Sequence, residues 1–137
     1  MILETIEVGG CRSYLLGCPK TNVAAVIDPE ISAIERYRGI ASKHGLAIRY
    51  AIDTHTHADH FSAAREIATA CPATRIVMLT VSEDEDDLLA AVKAGASGYV
   101  LKGAGAGELV GVIRSVNAGE VYVAPALAWG MLRELQT

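Results

Sequence analysis

The chain lacks what several classes of protein require. Its 137 residues hold only three cysteines, Cys11, Cys18 and Cys71, an odd number with no CxxC spacing. A framework of structural disulfides is therefore not expected. The three read as small buried apolar side chains in a reducing, cytoplasmic compartment. Basic residues are not in excess: the formal charge is −4 and Lys and Arg form no cluster, so no nucleic-acid partner is expected. No apolar run approaches the length of a membrane span, and the start Met1-Ile2-Leu3-Glu4 lacks a signal-peptide pattern, so no membrane partner is expected. There is no low-complexity stretch and no convincing linker, only a loose loop from Gly103 to Gly107. Histidine is scarce too, with four in all and none after His60.

What is present suits one compact domain. Hydrophobic residues make up 51% and charged residues 20%. A chain of this length buries roughly two-thirds of its unfolded surface. Short β-rich runs alternate with helical patterns, the mark of βα units around a parallel sheet. A hairpin is expected over 2–16 with Gly9-Gly10 as its turn, then a strand over 23–27. Ser32 and Glu35 form a capping box for a helix that ends near His44 and Gly45, where His44 supplies a favourable charge. A strand over 48–53 leads to a helix over about 61–71. An apolar strand over 75–81 shows no alternation, as a centre strand covered on both sides would. Ser82 and Glu85 cap a helix carrying Leu88, Ala91 and Val92, which stops at Gly95. A strand over 99–102 follows, then a helix presenting Leu109, Val112, Ile113 and Val116. Pro125 opens a last helix with Ala128, Met131, Leu132 and Leu135 on one side, and Trp129 is expected to be partly buried there or at a contact surface.

One stretch carries concentrated chemistry. His55-Thr56-His57-Ala58-Asp59-His60 puts three imidazoles and a carboxylate within six residues, at the end of the 48–53 strand. Imidazole nitrogen and carboxylate oxygen suit zinc or iron, and a rigid strand end can aim them at one point.

This motif resembles the HxHxDH signature of the metallo-β-lactamase superfamily. The resemblance runs back through Gly10-Cys11-Arg12-Ser13-Tyr14-Leu15-Leu16-Gly17, Ala24-Ala25-Val26-Ile27-Asp28-Pro29 and Tyr50-Ala51-Ile52-Asp53-Thr54-His55, which look like the opening of the glyoxalase-II-like and persulfide-dioxygenase-like branch. It implies that His55 and His57 ligate one metal, with Asp59 and His60 serving a second. In the iron dioxygenase branch only the first histidine of the motif is a direct ligand, beside a later histidine and a later aspartate. Either ligand set calls for a downstream histidine that this chain does not supply.

The second half is similar to something else. Pro72-Ala73-Thr74-Arg75-Ile76-Val77-Met78-Leu79-Thr80, Ala94-Gly95-Ala96-Ser97-Gly98-Tyr99-Val100-Leu101-Lys102, Glu108-Leu109, Gly119-Glu120 and Pro125 resemble, in order, the C-terminal half of a response-regulator receiver domain. The chain thus reads as a single hybrid domain over 1–137, with a metallo-β-lactamase-like fragment over about 1–68 and a receiver-like fragment over about 72–137. The expected architecture is an α/β three-layer sandwich, flavodoxin- or receiver-like. Its sheet would be mostly parallel, with the 23–27, 48–53, 75–81 and 99–102 strands in that order and the N-terminal β-hairpin at one edge.

In such sheets ligands collect at the carboxyl ends of the strands, near the switch point. Those ends carry Asp28, Asp53 to His60, Thr80 and Lys102. The receiver resemblance implies a second site: Thr80 and Lys102 match its motif and would attend the phosphoryl group, while by position Asp53 would imitate the phosphoacceptor and Asp28 (with Glu30 beside it) the acid that helps hold Mg²⁺. Asp28-Pro29 reads equally as a strand-to-helix turn, and Tyr99, at the receiver's switch aromatic, equally as packing. The sequence therefore points first to residual divalent-metal binding, with zinc or iron at His55, His57, Asp59 and His60 and no efficient turnover. A receiver-like phosphoacceptor and a metal-dependent hydrolase or iron dioxygenase stand as alternatives. Surfaces that each parent buries against segments absent here leave apolar patches that would favour a homodimer.

Overall fold

The computed structural model describes residues 1–54, 58–81 and 84–136, without the side chains of 58–62, 126, 131, 134 and 135. A hairpin of β1 (Ile2–Val8) and β2 (Cys11–Cys18) opens the chain, and β3 (Val23–Ile27) pairs antiparallel with β2. From there the chain alternates: α1 (Ile34–Lys43), β4 (Ala47–Asp53), α2 (Ala58–Ala70), β5 (Arg75–Thr80), α3 (Glu85–Lys93), β6 (Ala96–Leu101), α4 (Ala106–Asn117), the short β7 (Tyr122–Val123) and α5 (Pro125–Gln136). The seven strands form one sheet in the order β1-β2-β3-β4-β5-β6-β7, parallel from β3 onward. The expected order of the central strands and the edge position of the hairpin are both observed. Because spatial order equals sequence order, the parallel part has no switch point, and the strand ends alone define the candidate site.

Alternate residues of every long strand face one helical layer. Ile6, Leu15, Val26, Ala51, Met78 and Tyr99 form this core with Tyr37 and Ala41 of α1, Ile67 of α2, Leu88 and Ala91 of α3 and Leu127 of α5. The other face is covered differently. Among the described residues, Val112 and Val116 of α4 pack there against Val77 and Val100, with Ile52, Leu79, Ala104 and Tyr122 partly buried beside them. Three layers are therefore complete over β5 and β6. The sheet grows in one direction while α3 and α4 lie on opposite faces, so the β5-α3-β6 and β6-α4-β7 units have opposite hands. The exception to the usual handedness falls on the two-residue β7. Gly98 makes the α4 packing possible: a Cβ there would meet Val116, Val112 and Val77 side chains at 3.3–3.4 Å.

A buried polar network ties the hairpin to α1. Ser13 Oγ donates to the Ile6 carbonyl at 3.2 Å and lies 2.7 Å from the Tyr37 hydroxyl, which accepts from the Glu30 amide at 2.8 Å. With Ser13 already donating, Tyr37 donates to Ser13, and every group in the chain of bonds is satisfied.

Several local expectations are corrected. Ser32 does not cap α1. It lies in a 3-10 turn over Ile31–Ala33, and α1 starts from Ala33 without a side-chain cap. At its other end His44 is the C-cap, with Nε2 at 3.6 Å from Glu4 Oε1. The cap of α3 is Asp84, whose carboxylate accepts from the Asp86 amide at 2.7 Å, and Ser82 lies outside the described residues. α2 begins at Ala58, inside the histidine motif rather than after it. Val92 points outward at 41% exposure, because Leu88 and Ala91 already occupy the inward face of α3. Among the described residues of α5, Leu127 and Gly130 are buried, while Leu132 is exposed and Trp129 is 66% exposed. Cys11 and Cys18 are exposed rather than buried, since each ends a strand at a turn; all three cysteines are free thiols.

Candidate functional site

Parallel pairing of β3, β4, β5 and β6 brings their carboxyl ends side by side, and with them Asp28, Asp53, Thr80 and Lys102. The first of these is set by an unusual turn. Asp28 has φ +52, a left-handed conformation that Asp tolerates better than most residues, and its amide donates to the Ile52 carbonyl at 2.9 Å. The chain thereby folds back over the end of β4. One oxygen of the Asp28 carboxylate accepts the Thr54 amide N–H at 2.7 Å, and the other accepts the Thr54 hydroxyl. Asp28 thus clamps the residue that immediately precedes His55.

Asp53, the last residue of β4, is the anomaly of the molecule. It is 0% exposed, on the sheet face covered by α2, and neither carboxylate oxygen has a hydrogen-bond partner among the described residues. Burial first, and the charge of Asp28 second, push its carboxyl up to about 8. Thr80 is buried at the end of β5, and the Lys102 amide donates to the Thr80 carbonyl at 2.7 Å while the Lys102 side chain lies exposed. Tyr99 is buried against Met78 and α3 as a core residue.

Of the proposed metal ligands, His55 and His57 lie outside the described residues. The backbone of Asp59 and His60 forms the first turn of α2, directly after the clamped strand end. Among the described residues no group of three or more potential ligands comes together, and no helix is long and apolar enough to cross a membrane. Thr54 is the residue the sequence did not reveal. Its role rests on a contact 26 positions away, which periodicity and local spacing do not report.

Comparison with known proteins finds both resemblances. Residues 6–124 match the family model described as the metallo-beta-lactamase superfamily. A metallo-beta-lactamase structure from Staphylococcus aureus is 31% identical with a TM-score of 0.52, over 61% of this chain and 25% of that one. On the other side, the response regulator GacA of Pseudomonas aeruginosa is 39% identical over 66 residues, 48% of this chain and 31% of its own length. A LuxR-family response regulator from Aurantimonas has a TM-score of 0.58 over 81% of this chain and 95% of its own, at 24% identity, a likeness of fold. The chain spans half or less of the length of the curated relatives it matches. With the family match over 6–124, the chain belongs to the metallo-β-lactamase superfamily, and its second half is in addition similar to response regulators.

Proposed function

We propose that the protein binds a divalent metal, zinc or iron, through His55, His57, Asp59 and His60, without efficient turnover of its own. The observation that carries this reading is the Asp28 clamp. A carboxylate that takes both the amide and the hydroxyl of Thr54 fixes the backbone from which the motif departs. The start of α2 at Ala58 does the same for Asp59 and His60 on the far side. The donor set fits the metal, since three imidazoles and a carboxylate match the ligand types of zinc and of non-haem iron. Such a metal would supply Lewis acidity when bound. What the chain lacks is the later histidine that the superfamily's hydrolases and dioxygenases use, as none follows His60. Within these 137 residues, that deficit supports binding without efficient catalysis. The test is calorimetric titration of the metal-stripped protein with Zn²⁺ and Fe²⁺, beside a His55→Ala/His57→Ala variant. Binding that the variant loses is expected; absent or variant-insensitive binding overturns the reading.

The phosphoacceptor reading keeps one observation in its favour, the adjacency of Asp28, Asp53, Thr80 and Lys102 at four neighbouring strand ends. Two others weigh against it. A phosphoacceptor must be reached by its donor, and Asp53 is fully buried. The Asp28 oxygens that would share Mg²⁺ are engaged by Thr54. Acetyl phosphate with Mg²⁺ decides: a mass gain lost in Asp53→Asn would reinstate this reading.

A further inference from the structure

The sheet face that carries α4 is bare, among the described residues, over β1 to β4. α4 contacts β5, β6 and β7, while α1 and α2 pack on the opposite face with Tyr37, Ala41 and Ile67. Strand register lines up the bare residues in two rows. Leu3 stands opposite Leu16, Leu16 opposite Ala25 and Ala25 opposite Tyr50. The second row runs from Thr5 through Tyr14 and Ile27 to Ile52, and at Val77 it passes beneath α4. Leu3 is 60% exposed, and the rest of both rows is half-buried except the exposed Thr5. A shallow apolar hollow of about 250 Å³ opens between Leu16, Val23, Ala25 and Tyr50. A sheet face left in water ordinarily alternates to polar residues, and this one is aliphatic and aromatic. The charges of the same face stand at its rim: Glu7 and Arg12 pair with each other at 3.2 Å, and Arg75 lies past the first row on β5.

We propose that this face binds a second copy of the chain, the two sheets stacking about a two-fold axis that runs along the strands between β2 and β3. The covered and bare parts of the face form a step, and the step fits itself. A helix layer is about 10 Å thick, and stacked sheets lie about 10 Å apart. The partner's β1 then lies over β4, about two strand spacings or 10 Å from the α4 axis above β6, an ordinary packing distance. The α4 flank turned toward it is apolar. Glu108 faces β7, where it accepts from the Tyr122 hydroxyl at 2.7 Å, which leaves the half-buried Leu109 and Ile113 on the side of β4. The area is sufficient. Four strands about 4.8 Å apart and about 20 Å long give a face of about 400 Å². The α4 flank, and the β1 edge that meets the partner's α4, bring each copy to about 800 Å², the size of a standard stable interface. With Glu7 and Arg12 already paired, stacking β1 to β4 strands no lone charge between the sheets. The inference does not depend on the metal reading.

Sedimentation of the wild type and of Ile27→Glu, with circular dichroism on both, tests the proposal. The wild type is expected to sediment as a dimer. The carboxylate of Ile27→Glu is solvated in a monomer but buried without a partner in the stacked pair, so the dimer dissociation constant should rise about 100-fold or more. Trp129→Ala, on α5 in the layer across the sheet, should leave the dimer intact. Should Ile27→Glu fail to fold, Leu3→Lys at its exposed edge position decides by the same readout. A monomeric wild type at high micromolar concentration would overturn the proposal. So would a dimer that the folded variants leave unchanged, or one that Trp129→Ala abolishes.

Discussion

The Asp28 carboxylate holds Thr54 by both its amide and its hydroxyl, and so sets the strand end from which the histidine motif departs. Twenty-six positions separate the two residues. The contact exists only because β3 and β4 are parallel neighbours with Asp28 in a left-handed turn.

Removing half of that clamp should be measurable. Thr54→Val keeps the shape and the amide bond but deletes the hydroxyl, leaving one oxygen of a charged, half-buried carboxylate without that donor. A loss of about 1–2 kcal/mol is expected in urea unfolding, with weaker Zn²⁺ binding, and Thr54→Ser should restore both. A Val variant as stable as the wild type would show that the hydroxyl bond contributes nothing net.

Asp53 predicts the pH dependence of the metal-free protein. Its folded-state carboxyl is pushed up to about 8, so the folded protein keeps a proton that the unfolded chain releases. The contribution of this group is full below about pH 4 and is lost as pH rises toward about 8, each pH step of one across that window costing roughly 1.4 kcal/mol. Unfolding midpoints should therefore fall across that window, and Asp53→Asn should flatten the slope. An unchanged slope in the variant would locate the titration elsewhere.

Two glycines near α4 should respond in opposite directions. Gly98→Ala sets a Cβ at 3.3–3.4 Å from three valine side chains and should cost about 1–3 kcal/mol by overpacking the core beneath α4. Gly111, inside α4, has open space around the added atom, so Gly111→Ala should stabilise by about 0.5–1 kcal/mol through helix propensity alone. Thermal unfolding of both variants checks the pair, and a neutral Gly98→Ala would mean that α4 shifts freely over the sheet.

Much of the fold was legible in the sequence because its signals are periodic and local. The apolar run of 75–80, the Gly9-Gly10 turn and the βα alternation gave the strands and their neighbours. The residues carrying the site chemistry were legible by type. Their surroundings were not. The burial of Asp53 depends on α2 lying over β4, and the partners of Asp28 and Tyr37 lie across crossovers and a hairpin. The caps failed for a related reason. Ser32 and Glu35 have the capping-box spacing, but the chain entering from Pro29 makes a 3-10 turn first, which moves the helix start past Ser32.

The sheet's sequential order has a kinetic consequence. Every strand hydrogen-bonds to the strand just before it in the chain, so no pairing waits for a distant segment to arrive. On a ribosome the sheet can therefore grow strand by strand as it emerges. Each strand pairing joins sequence neighbours, so a segment can be exchanged at a crossover without rerouting the rest of the sheet.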